Sequence, residues 1–161
     1  MQSMCLAICR FSIVAWVGAA ALFVVTAVTE QTAEDFDSII RDRLALLRFP
    51  FYYAFGFSLV IVSLVCGWLA RKHPAVTVKQ ISLFLGLSAI ALLLMIVDYV
   101  WIYQTLARLI TPPGGARSSE FVVYHNASKY INEAGITCCL LAALLIGWPR
   151  RRPAMRDSAQ G

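Results

Sequence analysis

Charge is what this chain has least of. Only 14% of its 161 residues are Asp, Glu, Lys or Arg, against about 25% in an ordinary soluble domain. That leaves too little polar material to cover a globular surface, and it excludes a soluble enzyme or a disordered chain. Histidine is almost as scarce, with only His73 and His125. The two fall in different connections, on opposite sides of the arrangement derived below. They cannot clamp one haem, and His125 alone would need further ligands to hold a metal. The five cysteines include no Cys-x-x-Cys pair, and the first and third connections contain none. A disulfide scaffold, a dithiol redox site and a tetraspanin-type loop are thereby excluded. No cofactor, no metal and no nucleic-acid partner is expected.

What the chain has instead is apolar residues, at 60%, with a mean hydropathy of +0.71. They gather into four stretches, at about residues 11–29, 49–70, 80–104 and 131–148. A helix needs roughly 20 apolar residues to cross a bilayer, and each stretch is close to that length. Barrel strands are shorter and alternate in polarity, whereas these runs are continuous. The fold class that follows is all-α: a four-helix transmembrane bundle whose first partner is the lipid bilayer. Residues 1–10 form an N-terminal segment, 11–149 the membrane domain, and 150–161 a basic, disordered tail. The first span carries a Val25-Thr26-Ala27 site resembling that of a cleaved signal peptide. Its apolar run exceeds the usual length of such a region, so it reads as a retained span.

Basic residues orient the bundle. Arg10, Arg71, Lys72, Lys79, Arg150, Arg151, Arg152 and Arg156 fall on one side in short segments. The other side has Arg41, Arg43, Arg48, Arg108, Arg117 and Lys129, diluted by acids in longer loops. The positive-inside rule puts both termini in the cytoplasm, with Arg150, Arg151 and Arg152 as a basic anchor. This places the chain in a plasma or inner membrane. Trp16, Trp68 and Trp148 then mark the cytoplasmic interface, and Tyr52, Tyr53, Trp101, Tyr103 and Tyr130 the outer one. Cys5 and Cys9 lie beside the membrane, where lipidation is conceivable.

The first outer loop has its own pattern. Phe36, Ile39, Ile40, Leu44 and Leu47 recur at helical spacing, with Glu34, Asp35, Asp37, Arg41 and Asp42 on the other face. This predicts a separate amphipathic helix on the outer surface, capped by Thr32 and ended by Pro50. In the third connection, Thr111-Pro112-Pro113-Gly114-Gly115 breaks the helix and predicts the most mobile loop. Ser118 or Ser119 can cap the helix that follows.

An ionisable residue inside a span is a functional hypothesis by default. Asp98 is that residue, within reach of interfacial water. On the fourth span Phe121, His125, Ser128, Asn132, Gly135 and Cys139 share one face. With Tyr52 and Tyr53 at the same depth, they predict a polar cluster at the outer mouth. Gly135 and Gly56 would allow helices to approach closely. Two readings of the cluster stand side by side. Polar side chains of this kind can hold a bundle together at about 0.6 kcal/mol each, or they can bind a small ligand, ion or proton.

Phe49-Pro50-Phe51-Tyr52-Tyr53-Ala54-Phe55-Gly56, together with the Phe121, His125, Ser128 and Asn132 series, resembles an uncharacterised family of four-helix bacterial membrane proteins. The eukaryotic transmembrane protein linked to platinum-drug resistance is a relative of that family. The resemblance covers about residues 35–148. It implies the same fold, a basic position at Arg108, and no established enzymatic activity. Three functions remain in view. The first is a non-enzymatic membrane protein whose outer cluster binds a small ligand or ion, or packs a partner. The second is an oligomeric transporter or resistance factor. The third is a membrane enzyme with Asp98 and His125 as an acid–base pair.

Overall fold

In the computed structural model, residues 1–148 are described, and they are helical with no strand among them. Helix α1 spans Gln2–Thr32, α2 Ser38–Leu69 and α3 Val78–Val97. A π-helical stretch, Asp98–Tyr103, continues α3 into a short α4, Gln104–Leu109. Helix α5 is Ser119–Gly147. Four rods of 29–32 residues, counting 78–109 as one, are long and apolar enough to cross a membrane. At about 1.5 Å per residue each exceeds the roughly 30 Å hydrocarbon layer, so helix ends and connections reach the interfaces.

Capping defines most of these ends. Asp37 accepts from the Ile40 amide at 2.8 Å and starts α2. Thr77 and Gln80 form a reciprocal capping box at the start of α3, satisfying two otherwise orphaned amides. Ser118 accepts from the Phe121 amide and starts α5, as the sequence predicts.

The rods pack as a ring, α1 beside α2, α2 beside α3, α3 beside α5 and α5 beside α1. The closest pairs are α1 with α2 and α3 with α5. One end of the ring carries the α1–α2 and α4–α5 connections; we call it the two-loop end. At the opposite end Arg10 Nε donates to the Ile146 carbonyl at 2.9 Å, and Gln80 Nε2 to the Trp148 carbonyl at 3.3 Å. Ser3 and His73 share a hydrogen bond there at 3.1 Å. The interior is lined by small residues, Ala20, Ser63, Ser88, Ala91, Cys139 and Ala142, with Trp16, Phe84 and Ile13 filling between them. Small side chains let helix backbones approach where lipid supplies no hydrophobic drive. The outer surface is as apolar as the core, with Phe11, Leu22, Val25, Leu93 and Leu144 exposed.

Several expectations are corrected. No separate surface helix ends at Pro50; residues 38–69 form one helix that runs through it. Pro50 forfeits a single backbone bond, which membrane helices tolerate, and a tether two residues before it holds the helix on course. Arg48 bonds to Glu30 and, at 2.6 Å, to Thr26. The face assignment fails in part: Asp42 is buried and Ile39, Ile40 and Leu47 are exposed, whereas Glu34, Asp35 and Asp37 are exposed as expected. Thr32 is the last residue of α1, bonding back to Val28 and Thr29, rather than a cap. Residues 2–10 are helical, with Cys5, Leu6 and Cys9 buried, so neither cysteine is presented for lipidation. Trp16 is 2% exposed and belongs to the core, not to an interfacial belt; Trp68, Trp101, Tyr130 and Trp148 remain exposed.

The Pro112–Gly115 turn is anchored. Asp42 accepts from the Gly114 amide at 2.9 Å and pairs with Arg117. Gly114 has φ +90°, and a Cβ there would fall 2.5 Å from Ile39, so only glycine fits both the turn and the contact. The tail, with Arg150, Arg151 and Arg152, lies outside the described residues.

Candidate functional site

Tyr52 and Tyr53 follow Pro50 by one turn on α2. Consecutive helical residues point about 100° apart, so the pair serves two neighbours. The Tyr52 ring lies against Phe23 and Trp16 of α1, with centroids 4.4 and 5.0 Å away. The Tyr53 ring lies among Tyr99, Tyr103 and Phe57. Phe49 joins the two groups, touching Phe23 and Tyr103. These rings form an aromatic collar that fixes both hydroxyls and shields what they bind.

They bind the Asp98 carboxyl and its partner. Tyr53 donates to Asp98 Oδ2 at 2.5 Å, and Asn132 Nδ2 donates to the same oxygen. Tyr52 donates to Asn132 Oδ1 at 3.1 Å. Asn132 also donates to the Ser128 carbonyl one turn earlier, so its amide is satisfied at both ends. Ser128 Oγ lies 3.3 Å from the same amide nitrogen. The network ties α2, the π-helical stretch and α5 together. Asp98 is wholly buried rather than open to the interface as the sequence suggests, and its Oδ1 makes no hydrogen bond among the described residues. Asp98 is also the first residue of the π-helical turn. Such wide turns occur most often as single insertions at functional sites.

Five predicted members therefore converge: Asp98, Asn132, Ser128, Tyr52 and Tyr53. Two do not. His125 is exposed, stacked on Phe121 at 5.6 Å and nearly parallel to it, and it makes neither a hydrogen bond nor an ion pair with buried Asp98. The acid–base pair is not formed. His125 lies seven residues from Asn132, about 10 Å along the helix, which carries its ring past the buried cluster. Arg108 is exposed and bonds within its own turn, to Gln104 and Thr105. The cluster faces the bundle interior, with Asp98 and Tyr53 buried and Asn132 half-buried.

The two glycines differ. A Cβ at Gly56 would come within 2.5 Å of Trp16 and 2.6 Å of Met95, so close approach requires glycine there. A Cβ at Gly135 would meet Leu94 at 3.9 Å, an ordinary contact, and close approach does not depend on that residue. Sequence reasoning missed Asp42, Trp16 and Met95 as interior groups. Asp42 sat among five charged neighbours and gave no sign of being singled out.

Two spaces border the network. A void of about 10 Å³ lies among Trp16, Tyr52, Met95, Ile131, Asn132, Gly135 and Ile136, about the size of one water. A lateral groove of about 280 Å³ lies between α1 and α2, lined by Trp16, Ala19, Phe23, Arg48, Phe51, Tyr52 and Phe55. No set of three His, Cys, Asp or Glu residues with metal-binding geometry occurs among the described residues. Comparison with family models, curated proteins and solved structures finds no match for this chain.

Proposed function

We propose that this chain is a non-enzymatic multi-pass protein of a cytoplasmic membrane, with both termini in the cytoplasm, whose Asp98 network binds one small cation inside the two-loop end. The membrane assignment is supported by the four long apolar rods. The orientation is supported by the density of basic residues in the short segments at the opposite end. The resemblance to the four-helix bacterial family agrees with this reading and adds no activity to it.

The single observation that carries the cation reading is the Asp98 carboxyl: fully buried, with one oxygen doubly engaged and the other without a hydrogen bond among the described residues. An amide would serve a purely structural clasp at lower desolvation cost, because carboxylates are expensive in lipid. A buried carboxylate beside a tyrosine hydroxyl suits an oxygen-ligated ion.

Thermal unfolding of the detergent-solubilised chain tests this. Replacing N-methylglucamine by sodium, potassium or lithium should raise the midpoint by several degrees for one of them, since a ligand that binds only the folded state stabilises it. Asp98→Asn should abolish that response while preserving the fold. Wild-type protein indifferent to all three ions would reduce the network to a helix clasp.

A further inference from the structure

We infer that the α1–α2 groove is a phospholipid site, and that its occupant is an amine-bearing zwitterionic phospholipid with one acyl chain in the groove and its headgroup on the Arg48–Glu30 pair. The groove shares Tyr52 with the Asp98 network, but its proposed headgroup contacts, Arg48 and Glu30, make no bond to that network.

Its lining is graded. Trp16 and Tyr52 form a buried floor, and Phe51 and Phe55 form an exposed wall, 70% and 51% accessible. Arg48 closes the groove at the two-loop end. From Trp16 to Phe23 the groove extends about 10 Å along α1, within the roughly 15 Å depth of one leaflet. At about 280 Å³ it is too small for a whole lipid and suits part of one chain.

The head of the groove carries both signs. Arg48 pairs with Glu30 and bonds to Thr26, leaving three of its five N–H donors free. Both charged side chains are about one-quarter accessible, 24% for Arg48 and 28% for Glu30, so a headgroup reaches them. A phosphate bridges to the guanidinium, which favours planar bidentate oxyanion contacts. A primary ammonium, with three donors, meets the Glu30 carboxylate. An anionic headgroup would satisfy Arg48 but confront Glu30. A choline headgroup has no N–H to offer the Glu30 carboxylate, and the Phe23 face is already covered by the Arg48 guanidinium at 4.9 Å.

Trp16 is a reporter at the groove floor. The variant W68F/W101F/W148F keeps it as the sole tryptophan. In phosphatidylcholine vesicles, its fluorescence is titrated with chain-brominated phosphatidylethanolamine, phosphatidylcholine or phosphatidylglycerol. The ethanolamine lipid should quench at an about tenfold lower mole fraction than the other two, the equivalent of one charge-assisted hydrogen bond. Arg48→Gln should erase that preference, and Glu30→Gln should shift it to the glycerol lipid. Equal quenching by all three would overturn the proposal, as would a preference for the glycerol lipid in the Arg48/Glu30 protein. Absence of quenching by any of them would mean that another helix or a second copy covers the groove. The comparison among lipids decides without the substitutions, should either variant fail to fold.

Discussion

Each hydroxyl and amide in the Asp98 network has a distinct workload. Tyr53→Phe removes one of two donors to a buried carboxylate oxygen, and should cost about 1–2 kcal/mol, near the upper end for polar contacts within membrane bundles. Tyr52→Phe touches only the Asn132 carbonyl oxygen and should cost about 0.6 kcal/mol. His125→Ala should change stability by less than about 0.5 kcal/mol, because it removes an exposed stack. Reversible unfolding in mixed micelles ranks the three; an equal loss for Tyr52→Phe and Tyr53→Phe would contradict the unequal sharing seen here. The glycines give a sharper contrast. Gly56→Ala forces Trp16 and Met95 aside and should cost about 1–3 kcal/mol, whereas Gly135→Ala fits and should be neutral or stabilising by up to about 1 kcal/mol, read by the same unfolding. The sequence exposed the convergence of Asp98, Asn132, Ser128, Tyr52 and Tyr53 because helical spacing and shared depth suffice for that. It could not separate His125 from Ser128, three residues away on the same face. Which of two stripe members is covered depends on where the neighbouring rod ends, and no periodicity carries that information.

Among the elements, α2 departs most from its sequence pattern. The break expected at Pro50 follows from rules for water, where a lost backbone bond is costly. The tethers at Asp42 and Arg48 were not visible as such, since a charge in an acidic and basic segment reads as solvated until its partner 75 residues away is placed beside it. Asp42→Ala should release the Gly114 amide and Arg117 together. Limited proteolysis of the solubilised chain should then cut within residues 111–117 at least several times faster than in wild type, with α5 itself still protected. Unchanged cleavage would mean that the turn is held by its Ile39 contact alone. The π-helical stretch was also illegible: residues 98–103 satisfy an α-helical pattern as well as a π one, and the choice is made by packing against α5.

At the scale of the whole molecule, the sequence was most informative. Length and apolarity predict four rods able to cross a bilayer, which the fold bears out, and the basic residues predict a direction for them. A phosphatase fused after residue 148 should be inactive and a fluorescent protein there should glow, whereas a phosphatase inserted between residues 115 and 116 should be active; the opposite pattern would invert the orientation. The ring itself is two hairpins, α1 with α2 and α3 with α5, joined side by side. Their tips are linked by the polar contacts of Asp42 with Gly114 and Arg117, beside the packing of Ile39 on Gly114. Synthesis delivers Asp42 long before Arg117. The first hairpin is therefore made before either group that holds Asp42, and the second hairpin brings both the Gly114 amide and the Arg117 guanidinium. A chain cut short between the two would keep its first hairpin but lose both groups that hold the acid at its tip.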